Sequence, residues 1–170
     1  MIGRFLFSLL LALFMSGCVG YGLGGAKPAH LAAVHSVHVA IVRNDTQMPR
    51  AAAHATNSII DALTRDGTYR IASVDHADAR LLTTLHNINY RQARSAQVDI
   101  LRSEELEMEV FLNWSLVDAR NPTRVLAQGE SRGKTRFFVD PNLQTARQTA
   151  LIDALKRASE AVASRLADGF

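Results

Sequence analysis

The most regular pattern in this chain is the alternation of apolar and polar residues over positions 104–118. Apolar side chains recur at every second position, and most of the residues between them are polar or charged. The apolar set is Leu106, Met108, Val110, Leu112, Trp114 and Leu116; the polar set is Glu105, Glu107, Glu109, Asn113 and Ser115. A period of two predicts a β-strand with one face on a core and the other in water, which is typical of antiparallel sheets.

A second strand is predicted to return along the first. Arg120-Asn121-Pro122-Thr123 is a turn sequence, and Val125–Phe138 follows it. Centring the hairpin near Asn121 and Pro122 places large residues of one strand opposite small residues of the other. The predicted facing pairs are Trp114 with Gly129, Leu112 with Ser131, and Val110 with Gly133. We therefore expect a helix to pack on the sheet above the small residues.

Two stretches have the period of a helix. Ala51–Asp66 is rich in alanine, with Ile59, Ile60 and Leu63 on one side and Gly67 placed to end it. A longer helix is predicted to begin with Asp140 as its N-cap and Pro141 in its first turn, and to end near Leu166. Its apolar stripe comprises Leu143, Leu151, Leu155, Val162 and Leu166.

Three further strands are predicted over residues 31–43, 69–74 and 79–90, and the polar, arginine-containing residues 91–102 are expected to form a mobile excursion. The predicted order is β-α-β-β-β-β-α. Such an order favours an α+β two-layer sandwich, with one mixed, mostly antiparallel sheet of four to five strands and both helices on one face.

The N-terminal residues have the pattern of an export signal. Arg4 precedes an apolar run over residues 5–15, which is too short to span a bilayer, and Ser16 and Gly17 come directly before Cys18. This resembles a bacterial lipoprotein lipobox, with Met15 where leucine is usual. The resemblance implies cleavage before Cys18, a diacylglyceryl thioether on its sulfur and an acylated amine. The alternative is an ordinary secreted protein with a buried free thiol.

Those features predict three segments: a signal peptide over residues 1–17, a lipidated flexible linker over residues 18–30, and one domain over residues 31–170. The chain is 48% apolar and 21% charged, which is ordinary for a globular protein. Its formal charge of +3 is too small to argue for nucleic acid as a partner. Membrane attachment is expected through acyl chains alone.

Residues 129–133, Gly-Glu-Ser-Arg-Gly, match the G-x-S-x-G motif of serine hydrolases. That motif requires a strand before the serine, a helix after it and a histidine later in the chain. Here the strand continues past Ser131, and the last histidine, His86, lies well upstream. A hydrolase using Ser131 is thus an alternative that the spacing does not favour, and we interpret Gly129 and Gly133 as packing positions.

Arg132, Lys134 and Arg136 share one face of the second hairpin strand, and two interpretations of this basic stripe remain open. The cations could contact phosphates of a lipid or glycolipid. They could instead pair across the hairpin, Lys134 with Glu109 and Arg136 with Glu107, for about 0.2–1 kcal/mol per pair. Arg91 and Arg94 have no obvious acidic neighbour in the sequence, so they are equally good candidates for anion contacts. The six histidines show no metal-ligand spacing, and no metal or other cofactor is predicted.

Several segments together resemble the lipopolysaccharide-assembly lipoprotein family LptE. The segment that starts at Cys18 is similar to that family's Cys-Gly-Tyr-x-Leu start, with Val19 in place of glycine. Further similarities are the strand ending at Asn44 with Thr46 and Pro49, the Asp66-Gly67 turn leading to Tyr69 and Ile71, the Ala77-Asp78 pair before Leu81, and the last helix closing on Phe170.

The resemblance implies a non-enzymatic outer-membrane lipoprotein that faces the periplasm. Members sit inside the large β-barrel LptD, assist its assembly, and bind lipopolysaccharide on its way to the outer leaflet. Arg91, Arg94, Arg132, Lys134 and Arg136 are then the candidate contacts for lipopolysaccharide phosphates. The remaining alternative is a periplasmic activator or secretion lipoprotein, similar to the penicillin-binding-protein activators or the curli-assembly proteins.

Overall fold

Three long antiparallel strands form the centre of the sheet: β4 (Ala79–Arg94), β5 (Glu105–Asp118) and β6 (Val125–Phe138). They belong to a computed structural model that describes residues 27–94, 105–139 and 142–169, with the backbone alone at Arg94. The predicted signal segment, Cys18 and most of the predicted linker lie outside the described residues.

Short parallel strands complete the sheet beside β4. They are β1 (Ser36–Val39), β2 (Arg43–Asn44) and β3 (Arg70–Ile71), and the sheet order is β3-β1-β4-β5-β6 with β2 also paired to β4. The helices are α1 (Ala51–Asp66) and α2 (Leu143–Asp168), and a 3₁₀ turn covers Ala29–Leu31. The α+β fold class, the mixed sheet and the two helices confirm the predicted two-layer sandwich.

The predicted register of the hairpin is confirmed. Trp114 pairs with Gly129, Leu112 with Ser131 and Val110 with Gly133. A Cβ atom added to Gly133 would overlap the backbone oxygen of Ala154 and lie 2.5 Å from the backbone nitrogen of Ala158. Because no side chain separates them, α2 rests directly on the backbone of β6, as the small residues predict.

The predicted strand over residues 31–43 is wrong in part. The structure divides it into β1 and β2, and the pairing with β4 changes by one residue between them, from Val39 opposite Leu81 to Arg43 opposite Thr84. The chain between β1 and β2 therefore has one residue more than the facing part of β4, and its side chains change faces of the sheet at that point. As a result, Ile41 is 82% exposed and Val42 is buried in its place. The Val42 N–H is satisfied in this arrangement by α1, because the Thr56 hydroxyl accepts it at 2.9 Å.

Other boundaries also differ from the predictions. Of residues 69–74, only Arg70–Ile71 forms a strand. β4 continues past Tyr90 to Arg94, so the beginning of the predicted mobile excursion is regular strand paired with β5.

The start of α2 also differs from the prediction. Its N-cap is Asn142, whose side chain accepts the Thr145 N–H, and Asp140 is not the cap. Asp140 and Pro141 themselves lie outside the described residues.

Asp78 fixes the parallel neighbours β1 and β4 beside one another. Its Oδ2 accepts the N–H of His35 at 3.0 Å, the N–H of Ser36 at 2.9 Å and the Ser36 hydroxyl at 2.8 Å. The hydrogen bond from the His35 backbone is the main cause of a lowered Asp78 pKa, followed by that from the Ser36 side chain. The Ala77-Asp78 pair of the family resemblance thus has a structural role.

Tyr69 connects the end of α2 to the start of the domain. Its hydroxyl donates to the Leu166 carbonyl at 2.8 Å, one of the last-turn carbonyls that lack a partner within a helix. Lys27 Nζ lies 4.5 Å from the centre of the Tyr69 ring and donates to the Val34 carbonyl at 2.6 Å. Burial, with a smaller contribution from the charge of Asp66, raises the pKa of Tyr69 to about 12.

The contact between α2 and β6 predicts the cost of added volume. Gly133→Ala is expected to lower the free energy of unfolding by about 2–3 kcal/mol, because its Cβ meets helix backbone that cannot rotate away. Gly129→Ala should cost less, since its Cβ meets the Trp114 ring at 2.8 Å, a side chain that is able to shift. Urea-induced unfolding of both variants measures the order, and an equal or reversed ranking contradicts the proposed packing.

The hydrogen bond of Tyr69 predicts alkaline sensitivity. At pH 7, Tyr69→Phe should lower the free energy of unfolding by about 1 kcal/mol. The folded-state pKa is raised, so the contribution of Tyr69 is fully present below about pH 10, where unfolded tyrosine ionises. It is lost as the pH rises towards 12. Urea titrations from pH 7 to 11.5 should show the advantage of the wild type shrinking above pH 10, and a constant advantage would contradict the assignment.

Candidate functional site

The sheet face opposite the helices, here called the open face, carries most of the candidate side chains. Alternate residues of β4, β5 and β6 lie in rows across it. Two rows are Arg91, Glu107 and Arg136, and Asn89, Glu109 and Lys134; a third is Asn87, Phe111 and Arg132. The pairing of three strands thus brings Arg91, Arg132, Lys134 and Arg136 together on one surface, as the basic stripe suggests.

Glu109 is the centre of this cluster. Its side chain is only 3% exposed although it belongs to the open face, which corrects the prediction that this face of β5 simply meets water. Its two carboxylate oxygens are bound by different cations, Oε2 by Arg91 Nη2 at 3.1 Å and Oε1 by Lys134 Nζ at 3.3 Å. A buried carboxylate is costly unless it is paired, so Glu109 requires cations beside it. Because both cations bind the same carboxylate, Arg91 and Lys134 lie close to each other.

The pairing predicted across the hairpin is confirmed. Lys134 pairs with Glu109, and Arg136 Nε lies 3.4 Å from Glu107 Oε2.

Arg132 differs from these two cations. Its acidic partner is Glu130 of its own strand at 2.8 Å, and its guanidinium lies 5.0 Å from the Phe111 ring centre. The stripe is therefore a mixed-sign network rather than a bare positive surface.

The prediction that Arg91 has no acidic partner is wrong. It rests on a loop beginning at residue 91, whereas β4 continues and carries Arg91 alongside β5 to Glu109. Arg94 lies opposite Glu105 in the same ladder. The sequence predicts the pairing of Glu109 with Lys134 but not its second contact, with Arg91. That contact requires β4 to continue past Tyr90, so that three strands meet at Glu109.

Ion pairing leaves the cations available to a ligand. The side chains of Arg91, Lys134 and Arg136 are 64%, 54% and 62% exposed, and each uses only part of its donor set on glutamate. An incoming anion can therefore share Arg91 and Lys134 with Glu109, whereas displacing that buried carboxylate would be costly. The arrangement can bind an anionic group, with Arg91 and Lys134 held side by side beneath it.

The G-x-S-x-G motif forms core packing. Ser131 is 1% exposed, and its hydroxyl accepts a hydrogen bond from the indole Nε1 of Trp114 at 3.0 Å. The chain stays in β6 through this position instead of turning into a helix. The serine is therefore the partner of a buried indole, and the geometry of a nucleophile elbow is not formed here.

Two further properties concern only the residues described. Over positions 27–94, 105–139 and 142–169, no three His, Cys, Asp or Glu side chains cluster in a way that could hold a metal ion. Neither α1 nor α2, nor any other helix in those ranges, is long and apolar enough to cross a membrane.

Solved structures share this fold. A protein from Xanthomonas campestris matches with a TM-score of 0.57 and 15% sequence identity, covering 88% of this chain and 93% of that one. A minor lipoprotein from Acinetobacter baumannii matches with a TM-score of 0.53 and 4% identity, covering 79% and 94%. At such identities the likeness concerns the fold alone.

Sequence comparison assigns the family. A search of curated proteins gives no match. The family model LptE, described as lipopolysaccharide-assembly, matches residues 34–166, which includes β1 to β6 and nearly all of both helices. The match covers most of the chain, and it agrees with the segments from Asn44 to the last helix on which the resemblance rests. This chain belongs to the LptE lipopolysaccharide-assembly family.

Proposed function

We propose that this protein is an outer-membrane lipoprotein that occupies the lumen of an LptD-type β-barrel, assists the assembly of that barrel and takes part in lipopolysaccharide transport to the outer leaflet. Acyl chains on Cys18 would attach it to the membrane from the periplasmic side. The observation that carries this proposal is the LptE family match over residues 34–166. The lipid anchor is proposed from the Ser16-Gly17-Cys18 pattern, which resembles a lipobox.

The open face is suited to a barrel lumen. The interior of such barrels is polar, and the open face offers carboxylates, cations and amides in mixed order. Ion pairs such as Glu107 with Arg136 keep that surface close to neutral overall. A domain with such a face can lie against the polar inner wall of a barrel without exposing a large apolar surface.

Lipopolysaccharide phosphates are the proposed ligands of the cation cluster. The principal contacts are Arg91, Lys134 and Arg136, with Arg132 and Arg94 at its margins. A guanidinium offers two parallel donors to a phosphate, and an ammonium offers a compact charge beside it. Glu109 supports the site from below, because it holds Arg91 and Lys134 within reach of a single carboxylate and hence of a single phosphate.

Binding of purified lipopolysaccharide to the full chain tests this site. The double variant Lys134→Glu with Arg136→Glu is expected to bind about tenfold more weakly or worse, since two charge-assisted contacts become repulsive. Because Lys134→Glu also faces buried Glu109, the neutral pair Lys134→Gln with Arg136→Gln is measured as well and should show a smaller loss. Arg157→Glu is the matched control, an exposed arginine of α2 paired with Asp153. Unchanged affinity in both double variants at moderate salt would refute the site.

The barrel partnership requires a separate experiment. The full lipoprotein is captured from detergent-solubilised outer membranes, and the proteins that accompany it are identified by mass spectrometry. One large β-barrel protein in a stoichiometric amount is the expected result. A peptidoglycan synthase, or copies of the chain alone without a barrel, would instead favour the activator or secretion-lipoprotein alternative.

A further inference from the structure

A cleft of about 440 Å³ lies on the helix side of the sheet, away from the open face. Its walls come from three parts of the chain: the loop after β2, β4 near His86 and Tyr90, and Arg147 in the second turn of α2. Volumes of this size are typical of sites for small ligands. We call it the Arg147 cleft.

Arg147 is held in place without an acidic partner among the described residues. Its guanidinium carbon lies 5.3 Å from the centre of the Tyr90 ring, a cation–π contact that keeps the group beside the cleft. Its Nε atom is buried and makes no hydrogen bond to any of the described residues, and no carboxylate among them forms an ion pair with it. Arg147 lines the cleft, so an anion bound there meets a guanidinium whose charge no described carboxylate neutralises.

A β-bulge places His86 at the same cleft. The pairing of β4 with β5 shifts between Leu85 and Asn87, so His86 is the additional residue of the ladder. Bulges commonly redirect a side chain next to a binding site. His86 lines the cleft together with Arg147, and its ring nitrogens are a second potential contact for an anion.

The opposite wall is pre-formed, and the acidic group among its described residues, Asp45, is already paired. Asn44 Oδ1 accepts both the N–H and the hydroxyl of Thr46, at 3.0 and 2.7 Å, and its amide nitrogen donates to the Met48 carbonyl at 2.9 Å. Asp45 in this loop binds Arg43 at 2.9 Å. The cleft therefore needs no folding of the loop upon binding, and among its described residues Arg147 carries a charge that no carboxylate pairs.

We propose that the Arg147 cleft is a binding site for the phosphate or carboxylate group of a small molecule. Arg147 provides the main contact through its terminal guanidinium nitrogens, and His86 provides the second. Tyr90 and the apolar part of the wall at Met48 and Ile88 accommodate the remainder of the ligand. The site lies on the other side of the sheet from the proposed lipopolysaccharide contacts, so neither requires the other.

The test follows the arginine Nε–H signals of ¹⁵N-labelled full chain in zwitterionic detergent by NMR, at constant pH and ionic strength. The probes are pyrophosphate and citrate, and the Arg147 signal is assigned by its absence from Arg147→Gln. We expect at least one probe to shift this signal in a saturable manner. Backbone signals around His86 and Tyr90 should follow the same curve, with affinity lowered about tenfold or more in Arg147→Gln, which loses charge-assisted hydrogen bonds.

Two matched variants separate this site from other anion binding. Arg157→Gln, on the same helix, and Lys134→Gln, on the open face, should both leave the titration unchanged. The proposal is overturned if neither probe shifts the Arg147 signal. It is equally overturned if the Arg157 signal follows the same curve, or if Arg147→Gln binds as well as the wild type. Loss of binding in Lys134→Gln would assign the anion to the open face and would also contradict the proposal.

Discussion

The direct contact between α2 and the backbone of β6 at Gly133 is the constraint on which the remaining structure depends. A long helix can lie this close to a sheet only where the strand beneath it has no side chain. Once α2 is in place, it covers the apolar residues of β5, from Met108 to Leu116, and α1 packs beside it over the shorter strands. With both helices on one side, the other side of the same strands has no covering layer, and most of its residues are polar or charged.

This one-sided burial explains why charged residues occur in the middle of a sheet. On the open face, glutamates of β5 lie between cations of β4 and β6, and each cation keeps its aliphatic part on the strand while its charged end reaches solvent. Glu109 is exceptional because it is covered by its own partners. Removing one of those partners would leave a buried, partly paired charge, so the cluster has to be treated as a unit in any mutational study.

The sequence predicts those parts of the fold that depend on neighbours along the chain. The β5–β6 hairpin follows from alternation and a turn, and α1 from an alanine-rich stretch ended by Gly67, which indeed adopts a left-handed conformation with φ of 77°. The short parallel strands depend on partners far away in sequence, so the one-residue shift that exposes Ile41 and buries Val42 leaves no local signal. The N-cap at Asn142 is not evident from the sequence either, because Asp140, two residues earlier, is equally favoured at an N-cap position.

The candidate site residues differ in the same way: contacts within the hairpin are predictable, and contacts between distant segments are not. Pairing of Lys134 with Glu109 and of Arg136 with Glu107 is contained in the hairpin register and was predictable. The contact of Arg91 with Glu109 was not, because the length of β4 cannot be judged from a polar segment. Arg147 and Tyr90 are far apart in sequence and belong to different elements, so their stacking becomes apparent only when α2 has been placed on the sheet.

Lys27 marks the place where the described chain enters the domain. Pro28 lies next to Gly169, and the cleft beside them is lined by Trp114 and Gln128, so the chain enters the domain at the Trp114 end of the sheet. Glu107 and the neighbouring cations Arg91 and Arg136 lie roughly 23 Å further along β5. Because Lys27 is held by both Val34 and Tyr69, the point of entry is attached firmly to the domain. The entry of the chain and the proposed lipopolysaccharide contacts therefore lie at opposite ends of the same strands, so about the length of a strand separates them.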